Sequence, residues 1–257
     1  MINDLRKKLS KYLNVVYPLI GVGLFLLAWF IASKIVNAEM VLPAPGEAIK
    51  RFIYLISTDT FWLAVANTLG RTLISFVLSV ALAIFFAVVS YVMPQLEKIL
   101  NPIVVVLRSV PTMSIILLAL IWMSSKTAPL LIAFLILFPQ LYASFLSSLN
   151  GVDLELIEMS KAFKVPLKNR IFGLYIPSVL PSSLDAMRAN VSLGVKVTIA
   201  GEVLAQTSKS MGIYMQISKM YFDTAELLGW TVMAIILSYL LEGVFSLIKY
   251  FVVRWKK

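Results

Sequence analysis

The chain has 257 residues, of which 60% are apolar and 14% charged. A soluble domain carries about 25% charged residues, so this composition excludes an ordinary soluble enzyme, a disordered tail and a nucleic-acid-binding domain. The net charge is +10 and the mean hydropathy +0.90, with no Cys and no His. That removes disulfides, thiolate nucleophiles, imidazole bases and the usual zinc ligands.

The expected fold is an all-α membrane protein, one transmembrane domain over 1–257. Lipid offers the backbone no water, which leaves helices as the spanning solution, and no strand-like alternation suggests a barrel. Arg6, Lys7, Lys8 and Lys11 open the chain. The apolar stretch that follows is long and ends at no small-residue cleavage site, so an uncleaved first helix is expected rather than a signal peptide. Six spans are read, each near the ~20 residues that cross ~30 Å of hydrocarbon: 15–33, 67–92, 103–123, 129–149, 179–205 and 227–251.

After the first span, Leu42-Pro43-Ala44-Pro45 is held extended by its prolines. Pro45 can open a short helix, in which Ile49, Phe52, Ile53 and Ile56 make an apolar stripe fit for a membrane surface. Pro94, Pro102, Pro111, Pro129 and Pro139 fall in or beside spans, as kinks or helix starts. Trp29, Trp62, Trp122, Trp230 and Trp255 sit mostly near span ends, like an interfacial belt. Lys and Arg divide 13 to 6 between the two sides, the richer side carrying both termini, Lys98 and the 150–176 loop. The positive-inside rule then predicts an inner-membrane protein with both termini cytoplasmic.

The connection 150–178 has content of its own. Asp153 is an N-cap, Glu155 and Glu158 sit early in a helix, and Lys161 and Lys164 sit late, each sign suited to its end of the dipole. Val165 before Pro166 breaks that helix, and a second short one carries Lys168 and Arg170 and ends at Pro177. The segment reads either as a connecting loop with positive-inside charge or as a docking surface. Its length and its mixture of charged and apolar residues fit the latter.

Ionisable groups at membrane depth mark a pathway or a paired structural site. In the fifth span Arg188, Ser192 and Lys196 are spaced by four and share a face, and Glu202 lies near the outer end. They are candidates for lining a translocation path, where the cations would attract an anion. The structural alternative pairs Asp185 with Arg188 within the helix and leaves Lys196 to a neighbouring carboxylate or carbonyl. Arg71 and Arg108, near span ends, fit snorkelling or interhelical bonding. Ser192 and Lys196 would also suit a nucleophile and base, but no oxyanion hole stands out. No catalytic residue and no metal ligand is therefore assigned.

Glu158-Met159-Ser160 with Leu174-Tyr175-Ile176-Pro177 resembles the EAA loop of binding-protein-dependent ABC importer permeases. The spacing matches, with Met159 and Ser160 in place of two Ala and Lys164 at the Gly position. Leu42-Pro43-Ala44-Pro45, Thr68-Leu69-Gly70-Arg71, Arg108-Ser109-Val110-Pro111, Arg188 with Gly194 and Gly201-Glu202, Met211-Gly212-Ile213-Tyr214 and Phe222-Asp223-Thr224 are similar, in order and spacing, to the nitrate, sulfonate and taurine group of those permeases.

The resemblance implies a type I-like permease that works with a second copy of itself. Two cytoplasmic ABC ATPase subunits and an extracytoplasmic substrate-binding protein would complete the importer. Glu158 would contact an ATPase side chain, Ala162 and Phe163 would pack in its groove, and Glu155, Lys161 and Lys164 would flank that contact. The cargo would be a small solute, an anion such as a sulfonate, taurine or nitrate, or a thiamine-type pyrimidine. No phosphate loop occurs in the chain, so it is expected to be no enzyme and to hold no cofactor, with ATP hydrolysed in a partner. A secondary transporter, which usually shows a repeated half, and a non-transporting scaffold are the rival readings.

Overall fold

The computed structural model describes the backbone of residues 2–253 and the side chains of residues 16–253. The side chains of Arg6, Lys7, Lys8 and Lys11, and all of Arg254, Trp255, Lys256 and Lys257, lie outside the described residues. The described chain is helical: α1 (Ile2–Val36), α2 (Pro45–Ile56), α3 (Asp59–Val92), α4 (Pro94–Ser109), α5 (Thr112–Trp122), α6 (Ala128–Asn150), α7 (Leu154–Ala162), α8 (Leu167–Arg170), a π-helical turn (Ile171–Tyr175), α9 (Ile176–Ala205), α10 (Met211–Met220) and α11 (Thr224–Val252). Proline stands at one of the first two positions of α2, α4, α6 and α9, where its missing N–H costs nothing and its fixed φ suits the helix.

Among the described residues, four helices are long and apolar enough to cross a bilayer: Val16–Val36 within α1, α3, α6 and α11. The expected third span is not one straight helix. α4 and α5 meet at a bend of 101°. Pro111 supplies no N–H and holds Val110 extended at φ −66°, ψ 131°, as a residue before proline must be. Counted as one broken span, the pair makes five. α9, at 30 residues, runs about 45 Å, long enough to be a further span, but Asp185, Arg188, Lys196 and Glu202 interrupt its apolar character.

The chain forms two compact units. One holds the chain up to Thr58 with Ile217–Val232. There Trp29 Nε1 donates to Pro43 O at 3.0 Å, so the extended Leu42–Pro45 segment is tied to α1. Arg51 on α2 binds Asp223 at 2.7 Å and Glu226 at 2.6 Å. Partial burial opposes the Arg51 charge, but the hydrogen bond to Glu226 and the field of both carboxylates outweigh it and hold its pKa above the ordinary arginine value. Asp223 also caps α11 by accepting from Glu226 N, and Thr224 Oγ1 donates to Met40 O. On α2, Ile49 and Ile53 are exposed while Leu55 is buried.

The other unit holds Asp59–Gln216 and the chain from Met233 onward. Its core is α3 and α9 packed against α6. Along α3 the buried residues Ala64, Thr68, Thr72, Ser75, Ser79, Ala83, Ala87 and Ser90 form a small-residue stripe at helical spacing. Such stripes let helices approach closely in lipid. Thr72, Ser75 and Ser79 each donate to the carbonyl four residues back, and Ser75 Oγ also reaches Leu130 O on α6 at 3.1 Å. Aromatic rings fill the centre, with Phe134, Phe138 and Tyr142 stacked along α6 and Tyr142 OH meeting Ser90 Oγ at 2.9 Å. Gly201 completes the fit, since a Cβ there would stand 3.2 Å from Pro129 Cα.

The 150–178 connection forms two helices, as expected, and the bend lies at Lys164 itself. Lys164 is left-handed, with φ 51°. Val165 N donates to Ser160 O and Lys164 N to Lys161 O, both at 2.9 Å, the paired bonds of a Schellman motif. The second helix does not end at Pro177. Ile176 N bonds Ile171 O, so one wide π turn bridges the place where Pro177 can donate nothing, and the helix runs on into α9.

A left-handed non-glycine residue costs about 1 kcal/mol. Lys164→Gly is therefore expected to slow amide exchange at Lys164 and Val165 by about fivefold, and Lys164→Val to speed it. Unchanged exchange in both variants would contradict the account of the bend.

Candidate functional site

Two regions of the second unit concentrate chemistry. The first is α7 with the turn after it. Asp153 accepts from Glu155 N at 2.9 Å and caps the helix, as expected. Ile157 and Ser160 turn inward, at 6% and 9% exposure. Glu155, Glu158, Lys161, Ala162, Phe163 and Lys164 are all exposed. Apolar side chains stand out among them: Leu154 is 71% exposed, Met159 52% and Phe163 77%. Leu167 and Phe172 extend this apolar surface past the bend. A nine-residue helix this short is marginal by itself. It is held by one cap, one Schellman turn and two inward side chains, and it offers everything else outward.

The second region is α9. Glu202 is fully buried. Its Oε1 takes a 2.7 Å hydrogen bond from Arg71 Nη1 on α3. Its Oε2 takes one from Thr68 Oγ1 at 2.9 Å and one from Gly212 N at 3.2 Å. Thr68 Oγ1 in turn accepts from Met211 N at 3.0 Å. Three groups thus converge on one carboxylate, and Gly212 must lack a side chain, because a Cβ would lie 2.4 Å from Glu202 Cβ. Arg71 is accordingly an interhelical partner and not a snorkelling cation.

Glu202 does not share the open face of α9. That face carries Arg188, Ser192 and Lys196, which border a cavity of about 500 Å3 with Asp185, Leu193 and Glu242. The expected Asp185–Arg188 pair within the helix is not formed. Asp185 binds Lys249 of α11 through both oxygens, at 2.5 and 2.6 Å, and Arg188 faces Glu242 of α11 at 3.7 Å. Three residues on a helix do align Asp185 with Arg188, but the Glu242 carboxylate and the Lys249 ammonium of α11 stand across from them and draw each towards its opposite charge. Lys196 is exposed and has no side-chain partner among the described residues.

The Thr68–Arg71–Glu202–Gly212 knot was not foreseen as a unit. Its signal was present: Thr68 and Arg71 share a helical face three apart, on the stripe of small residues, and each lies in a motif named above.

This is the architecture of a membrane permease, with apolar helices, a polar face on one of them and an outward-turned helical loop between two of them. Residues 79–257 match the family described as the binding-protein-dependent transport system inner membrane component, and the chain belongs to that family. It is a multi-pass inner-membrane protein, the permease subunit of an ABC importer. The taurine transport system permease protein TauC of Escherichia coli is 22% identical over 83% of this chain and 80% of its own. The formylaminopyrimidine transport permease protein ThiX of Halalkalibacterium halodurans is 22% identical over 78% and 80%. The putative aliphatic sulfonates transport permease protein SsuC of Bacillus subtilis is 21% identical over 86% and 80%. Among solved structures, an inward-facing MetNI methionine ABC transporter chain is similar with a TM-score of 0.65, at 19% identity over 77% of this chain and 100% of that one. A chain of an amino acid ABC transporter follows at 0.62, 14% identity, 79% and 97%.

Removing one partner of a buried ion pair leaves an uncompensated charge and costs roughly 3–5 kcal/mol, whereas replacing both with apolar groups is often close to neutral. Arg71→Met alone should lower the thermal unfolding midpoint of the purified protein strongly. Arg71→Met with Glu202→Leu should recover much of the loss. Additive losses in the double variant would contradict the pairing.

Proposed function

We propose that this permease works as a homodimer with both termini cytoplasmic, joined there by two ATPase subunits and on the outer side by a substrate-binding protein. The chain itself carries out no catalysis and holds no cofactor; ATP is bound and hydrolysed by the partners. Residues 153–176 are the coupling segment. Glu158 meets an ATPase side chain, Ala162 and Phe163 enter its groove, and Glu155, Lys161 and Lys164 set the charge around the contact.

The observation that carries this reading is the exposure of α7. Phe163 stands at the C-cap of α7, next to a left-handed turn, 77% exposed beside Met159. Large apolar side chains on a charged, solvent-facing helix mark a protein-binding patch. α7 is joined to α8 through the tight turn at Lys164, and α8 runs through the π turn into α9, so a push on the segment is delivered to the helix that bears the polar face. Alternating access then follows from rigid-body motion of the helices.

The face of α9 with Arg188, Ser192 and Lys196 is read as a wall of the path, with buried Glu202, tied to α3 and the start of α10, fixing the orientation of that helix. The cargo is a small solute. The names of the relatives support a sulfonate, taurine or a thiamine-type pyrimidine, and the two cations support an anion, which nitrate would also satisfy.

Phe163→Ala and Glu158→Ala are expected to lower ATP-driven uptake in proteoliposomes at least tenfold while ATP hydrolysis continues, since a truncated central anchor typically costs 2 kcal/mol or more, about thirtyfold in affinity. Uptake that persists without any ATPase subunit would favour an ion-gradient transporter. Normal coupling in both variants would place the drive elsewhere.

A further inference from the structure

On the reading of α9 as the wall of the path, we propose that Arg188, Ser192 and Lys196 form a binding site for the head group of a small monoanion, and that Glu242 is a built-in counter-ion which the solute displaces from Arg188.

The charges around the cavity do not balance. Asp185 is engaged through both oxygens by Lys249. That leaves Arg188 and Lys196 against Glu242 alone among the described residues that line the cavity. One positive charge among them is uncompensated, on a helix read as a span, where bare charge is costly. A single negative charge on the cargo makes up the difference, and a neutral solute leaves Lys196 as it stands.

Geometry agrees with the charge count. Arg188, Ser192 and Lys196 lie on successive turns, about 6 Å apart along the axis. Ser192 is buried, at 7% exposure, between two exposed cations. An oxyanion at the Ser192 level therefore lies within reach of a flexible ammonium on one side and a guanidinium fork on the other. Arg188 is free to turn to it. Its 3.7 Å separation from Glu242 exceeds hydrogen-bond distance, so the pair is an electrostatic contact whose donors remain available. A cavity of about 500 Å3 is in the range that holds one small organic molecule. Leu193 supplies an apolar wall beside the charged groups. Glu242, which would otherwise repel an anion, keeps the empty site partly neutral.

The test uses the complete transporter with its ATPases in lipid nanodiscs and ethanesulfonate as probe, with a neutral aminopyrimidine for comparison. Calorimetric binding of ethanesulfonate is expected. Lys196→Gln should weaken it by about tenfold or more, the loss of one charged hydrogen bond. Lys196→Arg should hold it, and Glu242→Gln should tighten it. Reaction of Lys196 with an amine-specific reagent, read by peptide mass spectrometry, should slow in ethanesulfonate and not in the aminopyrimidine. Absence of ethanesulfonate binding, equal affinity in Lys196→Gln, or equal protection by the neutral compound would overturn the site. ATP-driven uptake by the same complex in proteoliposomes judges the permease reading separately. Its loss of ATP dependence would sink that reading, whereas unimpaired uptake of ethanesulfonate by Lys196→Gln would sink the site alone.

Discussion

A buried carboxylate with three hydrogen-bond donors sets the geometry of the second unit. Glu202 cannot stay charged inside a membrane protein without donors, and it has them in Arg71, Thr68 and Gly212. These contacts join α9 to α3 and to the start of α10 and fix how α9 is rotated. Six residues earlier, at about 100° per residue, Lys196 must then lie roughly 120° around the helix. The buried acid thus decides that Lys196 faces outward into the cavity rather than into the core. Buried ion pairs add little net stability on average; here the pair specifies an orientation.

The proposed coupling role of the loop between α6 and α9 draws on the same logic. Its second helix, α8, is continuous with α9 through a π turn made necessary by Pro177, and α7 joins α8 at the tight turn of Lys164. Below that turn the segment has few internal contacts and a wide apolar surface. Above it, α9 is packed on α6 and pinned by Glu202. On the proposed coupling, a push on α7 passes through the Lys164 turn and α8 to α9, whose rotation Glu202 holds. The polar face of α9 would then move past Glu242 and Lys249 of α11.

Much of this was legible in the sequence because it follows from local chemistry. Proline positions announced α2, α4 and α6, Asp153 announced the cap of α7, and charge spacing announced a polar face on α9. What was not legible depended on partners far away in the chain. The intrahelical Asp185–Arg188 pair looked natural at a spacing of three, yet Lys249 and Glu242 on α11 take both residues. The third span looked continuous by hydropathy, but Pro111 turns it through 101°. Lys164 looked like a departure from the glycine of the EAA pattern; it adopts the left-handed conformation that explains why glycine suits the position. The short motifs that carried the family resemblance prove to be joints: Gly212 beneath Glu202, Asp223 on Arg51, and Pro43 holding Trp29.

The native sequence has no Cys, so a single engineered thiol reports on one place only. With Phe163→Cys in the assembled transporter, a short bifunctional reagent should join this position to the ATPase subunit, while Ile157→Cys, on the inward side of the same helix, should not react. Cross-linking from position 163 to the external binding protein, or to no partner at all, would contradict the claim that this helix is where the motor meets the gate.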